Sequence, residues 1–284
     1  MATFFNQATL TYNDNVVNSN IVTGEIVEVL EAAKTATLDT YSAGDEITYI
    51  VSIVNSGATA FTGLTITDNL GAYAFGAGTV VPLTYVDGSV RYFSDGVLQA
   101  TPTVADTQPL TITGINVPAN GNAIIVYKTR ANQFAPVGIE GFITNTAVIS
   151  GAGLANPITV SETVNAEATV NLSIVKSLTP ETVAENGQLT YILTIQNTGV
   201  VPAGIADNLV VTDTFDPVLD PISVTFNGTQ WTEGVNYTYN ETTGQFSTIA
   251  GQITVPGAVY TQDPVTGAYV LTPGVSVIRV TGNV

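Results

Sequence analysis

Apolar residues along this chain recur with period two in short runs. In 170–176, Val170, Leu172, Ile174 and Lys176 fall on one face, and Asn171, Ser173 and Val175 fall on the other. Runs rich in Val, Ile, Thr and Tyr alternate with clusters of Gly, Asn, Asp and Pro, which is the pattern of half-buried strands separated by turns. No window carries a helical period. No run of about 18 apolar residues offers a membrane-spanning helix. Regularly spaced short strands of this kind predict an all-β chain built from antiparallel sandwiches of immunoglobulin type.

The pattern occurs twice. Segment 41–57 reads YSAGDEITYIVSIVNSG and segment 183–199 reads VAENGQLTYILTIQNTG. Tyr49 falls on Tyr191, Asn55 on Asn197 and Gly57 on Gly199, and the same offset carries Lys34 onto Lys176 and Glu25 onto Glu167. LTITD at 64–68 then matches LVVTD at 209–213, and YFSDGV at 92–97 resembles QWTEGV at 230–235. The expected organisation is an N-terminal strand and linker (1–20), a first sandwich (21–160) and a second sandwich (161–284).

The first copy is followed by FITNTAVIS (142–150), a strand expected to close its sheet. The second copy is expected to lack a counterpart, because the sequence stops at VSVIRVTGNV where that strand would begin. A related segment stands at the other end: FFNQATLT (4–11) resembles ITNTAVIS (143–150), with Asn6 on Asn145 and Ala8 on Ala147. An open sheet edge is a template for a further strand, and β-strand addition fills it with backbone hydrogen bonds and alternate side chains. Phe4, Asn6, Ala8 and Leu10 are therefore expected to face inward as a donor strand for the second module of a neighbouring copy. A head-to-tail contact that does not close yields a filament.

Strand parity also turns lysines inward. Lys176 shares its face with Leu172 and Ile174, and Lys34 shares parity with Leu30 and Ala32. Asp68 goes with Leu64 and Ile66, Asp213 with Leu209 and Val211, and Asn145 with Ile143, Ala147 and Ile149. Glu25 and Glu167 have the opposite parity to the lysines. A core position is costly for an ammonium. Lys, Asn and a buried acid are the parts of a spontaneous isopeptide bond: a desolvated lysine becomes a nucleophile toward the Asn carbonyl, and the acid polarises that carbonyl and shuttles protons. The roles expected are Lys34 as nucleophile, Asp68 as catalyst and Asn145 as electrophile in the first module. In the second they are Lys176, Asp213 and Asn6 of a neighbouring subunit. A plain buried ion pair between lysine and aspartate is the competing reading.

Composition narrows the function further. Charged residues are 10% of the 284, far below the roughly 25% of an average soluble domain, which suits a protein packed against copies of itself. The net charge of −17 argues against nucleic acid and anionic membrane as partners, since both need clustered Lys or Arg. Histidine and cysteine are absent, which removes the commonest general base, the thiol nucleophile, disulfides and zinc-thiolate sites. No enzyme acting on a diffusible substrate is expected, and neither metal nor cofactor. The N-terminus has no basic region followed by a long apolar stretch, so no signal peptide is read in it.

Weaker signals have plainer uses. Asp213, Asp216 and Asp220 lack the spacing of a calcium loop. Asn227, Asn236 and Asn240 fit the glycosylation pattern and also fit hairpin turns. Trp231, Tyr237 and Tyr239 suit either a sugar platform or core packing.

GDEITYIVSIVNSG with LTITD, and NGQLTYILTIQNTG with LVVTD, resemble the conserved bacterial surface repeat called domain of unknown function eleven. The resemblance covers both modules. It departs at Asn186-Gly187, where the family pattern has Gly-Asp, and at the closing strand of the second copy. The short two-module form beginning N-Q-A-T-L-T-Y resembles appendage proteins of spore-forming anaerobes, which implies a spore-surface location and assembly from the mother cell. The expected function is a structural subunit of a spore- or cell-surface fibre, with other copies of itself and an unknown anchoring protein as partners. The alternative is a monomeric surface adhesin or carbohydrate-binding module.

Overall fold

The computed structural model describes residues 2–284. Those residues form two compact units, one spanning residues up to 136 and 141–166, the other 137–140 and 167–284. The boundary expected at 160/161 falls inside the strand Ile158–Ala166, which pairs along its length with Phe142–Ser150 and so belongs to the first unit. Apart from one 3-10 turn at Ile205–Asp207, the regular structure is all strand.

The first module is a sandwich of two sheets. One is centred on Glu46–Asn55, flanked by Leu30–Ala36 and Asn122–Ala131 and continued by Arg91–Ser94 and Val97–Leu98, with Leu83–Tyr85 also paired to Asn122–Ala131. The other runs Thr103–Thr107, Leu110–Val117, Phe61–Asp68, Phe142–Ser150, Ile158–Ala166 and Thr40–Tyr41. Period-two alternation places Ile47, Tyr49, Val51 and Ile53 of one sheet against Leu64, Ile66, Ile112, Ala147 and Ile149 of the other, all fully buried. Leu30–Ala36 is called the lysine strand below, Phe61–Asp68 the acid strand, Phe142–Ser150 the closing strand and Ile158–Ala166 the return strand.

The second module repeats the first sheet with Leu172–Thr179, Gln188–Asn197, Gly274–Asn283, Ile222–Phe226 and Thr229–Gln230. Its other sheet is shorter: Thr212–Thr214, Gln245–Thr248 and Tyr237–Asn240. Thr212–Thr214 stands where the acid strand stands, and among the described residues it is paired on one side only. Aromatic side chains fill this core. Phe215 stacks on Tyr191 with ring centres 4.9 Å apart and packs on Phe246 and Tyr239. Trp231 and Tyr237 are buried here, and the Tyr239 hydroxyl donates to the Leu219 carbonyl at 2.8 Å, so all three serve packing.

The repeated Asn-x-Gly has a structural use. Asn55 donates through Nδ2 to the carbonyls of Thr59 (2.9 Å) and Pro118 (2.8 Å) and accepts from the Gly57 N–H (2.9 Å). Asn197 repeats this with Val201 (2.8 Å), Pro256 (3.1 Å) and Gly199 (3.0 Å). Each asparagine, fully buried or nearly so, ties two loops at one end of its sandwich. A side chain at position 199 would lie 2.2 Å from the Thr169 carbonyl oxygen, so the corner requires glycine.

Residues 2–26 differ from the single strand and linker expected for 1–20. They form a two-part hairpin: Ala2–Asn6 pairs with Val22–Ile26, and Thr9–Tyr12 pairs with Asn15–Asn18. The reason is local. Asn13 and Asp14 both take positive φ, 44° and 63°, the conformation of a two-residue type I′ turn, which Asn and Asp tolerate. A hydrogen bond from the Ser19 N–H to the Ala8 carbonyl (2.9 Å) links the two parts.

Candidate functional site: a buried lysine cluster and an open counterpart

Parity and register bring Lys34, Asp68 and Asn145 together in the first module. The lysine strand lies beside Glu46–Asn55, with Lys34 opposite Val51. In the facing sheet the closing strand lies beside the acid strand, with Ala147 opposite Asp68, so Asn145 is the next inward residue along. Lys34 Nζ is 2.5 Å from Asp68 Oδ2, and both side chains are fully buried. Asp68 Oδ1 accepts from the Leu70 N–H at 2.8 Å, and the Tyr127 hydroxyl donates to Oδ2. Lys34 Nζ also sits 4.8 Å from the centre of the Tyr49 ring and 6.0 Å from that of Tyr127.

Asn145 is fully buried with an asymmetric environment. Its Oδ1 accepts from the Gly71 N–H at 3.2 Å, while Nδ2 has no close hydrogen-bond partner among the described residues. The carbonyl is thus polarised by a backbone donor, while the Tyr49 and Tyr127 hydroxyls interact with the amide. Gly71 has φ +71°, and a Cβ there would lie 2.5 Å from the Ile143 side chain, so glycine alone lets this N–H approach.

Burial dominates the electrostatics. It pulls Lys34 down from 10.5 to about 8, against the opposing pull of Asp68 and, more weakly, Glu162 on the return strand. Burial, then the Asp68 charge, holds the Tyr49 and Tyr127 hydroxyls well above their ordinary 10.0. Tyr127 and Tyr49 did not stand out in the sequence as members of this site. Tyr49 was visible only as a repeat position, and Tyr127 becomes identifiable once the register sets it opposite Tyr49.

The second module contains the same first pair in a different setting. Lys176 Nζ is 2.6 Å from Asp213 Oδ2 and 4.4 Å from the centre of the Tyr191 ring. However, the Lys176 side chain is 41% exposed and that of Asp213 is 16% exposed. The cover is what differs. In the first module the closing and return strands lie over this place. In the second a groove of about 410 Å³ runs between Leu172–Ile174 and Leu209–Thr212, and Ile174, Val175, Leu178 and Val210 are exposed. Val280 stands opposite Tyr191 as Tyr127 stands opposite Tyr49, so the hydroxyl donor has no equivalent. Asn6 lies in the N-terminal hairpin opposite Val22, with Phe4, Ala8 and Leu10 on the same exposed segment. Asn6 belongs to the first unit and Lys176 to the second.

Among the described residues no group of three or more acidic residues is arranged to hold a metal, and Asp216 and Asp220 join no such cluster. No helix there is long and apolar enough to cross a membrane.

Fold and cluster together define a class: tandem β-sandwiches, one closed over a buried Lys–Asp–Asn cluster, the other open at the same place. No protein-family model matches the chain, and no curated protein sequence matches it. Solved structures with partial likeness include the collagen adhesin of Staphylococcus aureus (16% identity, 56% of this chain and 55% of that one, TM-score 0.32). The collagen-binding domain of a Staphylococcus aureus adhesin overlaps at 14% identity, 50% of this chain, 99% of that one and TM-score 0.30. The pilus backbone protein of Streptococcus pneumoniae overlaps at 10% identity, 86% and 55% coverage and TM-score 0.35. The chain thus spans about half the length of the first and third of these.

Proposed function

We propose that this protein is a structural subunit of a bacterial surface fibre, joined head to tail by strand complementation and locked by lysine–asparagine isopeptide bonds. The observation that carries the reading is the contrast between equivalent places. The first module is closed by Phe142–Ser150; the second has a one-sided strand at Thr212–Thr214 beside a half-exposed Lys176–Asp213 pair; and residues 4–11 repeat the closing strand with Asn6 in the place of Asn145. A neighbouring copy's N-terminal segment has the side chains to complete that edge. The spore appendage proteins that the short two-module form resembles supply the setting this reading favours.

The chemistry is an amide exchange. The neutral Lys34 amine attacks Cγ of Asn145, whose Oδ1 is held by the Gly71 N–H. The new C–N bond forms as the bond to Nδ2 breaks. The proton shed by the attacking nitrogen passes through Asp68 to Nδ2, and ammonia leaves. Fixed neighbours replace a diffusive encounter, which is the main source of rate in such a reaction. In the second module the Lys176 ammonium still meets water, so the equivalent step awaits the strand that covers it. Crosslinking between subunits would then follow docking.

Negative-stain electron microscopy of the purified chain tests the reading. The expected images are thin filaments with a repeat of two modules, absent from a chain deleted of residues 1–12 whose circular dichroism remains that of folded β-sandwiches. Isolated particles from the full chain would overturn it and favour the monomeric adhesin.

A further inference from the structure

The strand thought to be donated is already paired, and its partner strand also has a counterpart in the first module. There, closure takes two strands: the closing strand joins the acid strand, and the return strand pairs with the closing strand from Phe142↔Asn165 to Ile149↔Ile158. The return strand contributes to the core itself, burying Val164 and Ala166, and its Glu162 acts on the charge of Lys34. Under these two strands Lys34 is 5% exposed.

The second module is uncovered along both positions. Among the described residues no strand is paired with the edge at Leu209–Thr212 on the closing side. The equivalent strand Leu172–Thr179 leaves Ile174 and Leu178, on the face of Lys176, 51% and 41% exposed, whereas Leu30–Ala36 buries Leu30 and Lys34. One added strand would extend the sheet edge but leave the place of the return strand open.

Residues 2–26 have the shape that this gap lacks. Residues directly opposite in an antiparallel ladder share a face. Phe4 is opposite Gly24, Asn6 opposite Val22 and Leu10 opposite Val17. The Phe4 ring lies over Gly24, where a Cβ would come within 2.3 Å of it. One face of the first ladder therefore carries Phe4, Asn6, Val22 and Ile26, and one face of the second carries Leu10 and Val17. Their five apolar members are 44% to 64% exposed, an unusual display outside an interface. The opposite faces carry Thr3, Thr23, Glu25, Thr9 and Thr11, together with Phe5 and Val16, which are 70% and 63% exposed.

We infer that the donated element is this intact hairpin, residues 2–26 of a second copy. Its first strand seats against Leu209–Thr212, and its second covers Leu172–Thr179 in the place of the return strand. The inference rests on the proposed head-to-tail reading and makes it more specific. Val22 stands opposite Asn6 where Glu162 stands opposite Asn145, so the docked site would enclose Lys176 with apolar surface and a single acid, Asp213.

A disulfide staple across the outward face separates a hairpin from a lone strand. Thr3 and Glu25 are opposite one another at the open end of the hairpin, and the chain has no other cysteine. In Thr3→Cys with Glu25→Cys, closure is checked by loss of free thiol. The oxidised chain is expected to form filaments at the wild-type rate. A chain that stays monomeric until reduced would overturn the hairpin and leave single-strand donation standing. As a second measure, Val17→Asp with Val22→Asp changes only the return half and is expected to abolish filaments. Filaments formed normally by that variant would also overturn the inference. A wild type that forms none would instead defeat the fibre reading itself.

Discussion

At Lys34 the cost of burial and the presence of partners act against each other, and burial wins. The ammonium has Asp68 at 2.5 Å and two aromatic faces, yet its value falls to about 8 because the protein removes its water. Parity along three short strands was enough to point Lys34, Asp68 and Asn145 inward, since each alternates with apolar residues on its own strand. The Tyr127 hydroxyl and the Gly71 N–H were not legible. Each reaches the site through a turn or a cross-strand register that spacing along one strand does not encode. Asn145→Ala removes the electrophile and leaves the two charges, so it isolates their titration; its intact mass should exceed wild type, corrected for the substitution, by one ammonia. The unfolded chain binds more protons than the folded one between Lys34 at about 8 and an ordinary lysine at 10.5, so stability of this variant rises with pH there. Tyr49 and Tyr127 act oppositely, because folding holds their protons above the ordinary 10.0. Thermal melts of Asn145→Ala across pH 7 to 11 should therefore show a maximum near pH ~10; a midpoint that falls steadily from pH ~8 would show that the Lys34 amine is not desolvated.

Among elements, the Asn-x-Gly corner was visible as a repeated motif, but its purpose appears only in three dimensions. Asn197 serves carbonyls at Val201 and Pro256 and accepts from the backbone at Asn171 and Gly199. Alanine there strands several buried groups, each worth about 1–3 kcal/mol when unpaired. With some relief from water, Asn197→Ala should lower stability by about 3 kcal/mol in urea unfolding followed through Trp231; a loss within about 0.5 kcal/mol would mean that the corner is already hydrated. The N-terminal hairpin was missed for a different reason. The likeness of 4–11 to 143–150 suggests a lone strand, whereas the two-residue turn at Asn13-Asp14 dictates pairing of its flanks. Residues 15–20, expected as linker, and 21–26, expected as the start of the first sandwich, are the second half of that hairpin. The inward parity of Lys176 does bring it over the Tyr191 ring, but parity says nothing about cover, and the lysine remains half in water.

For the whole chain, the tandem sandwich was legible because the repeat spans both modules and its strands alternate cleanly. The boundary was not, because the return strand Ile158–Ala166 belongs by pairing to the first unit although its sequence leads into the second. The two lysines carry different consequences at this scale. A bond from Lys34 would close within a subunit, whereas one from Lys176 to Asn6 would join subunits covalently. Lys176→Ala filaments are expected to fall to monomers in hot detergent while wild-type filaments stay as ladders on a denaturing gel. Wild-type filaments that also fall to monomers would exclude the intersubunit bond and leave the strand contact alone.

If subunits join as proposed, one module closed by its own strands and one left open give each subunit two unlike joining sites. A row assembled from such units has a direction, whatever its length: a bare hairpin at one tip and a bare groove at the other. The tips would add subunits by different encounters and at different speeds. A few chains deprived of residues 2–26 would plug the hairpin tip and leave the groove tip growing, so growth in their presence would run from one tip only.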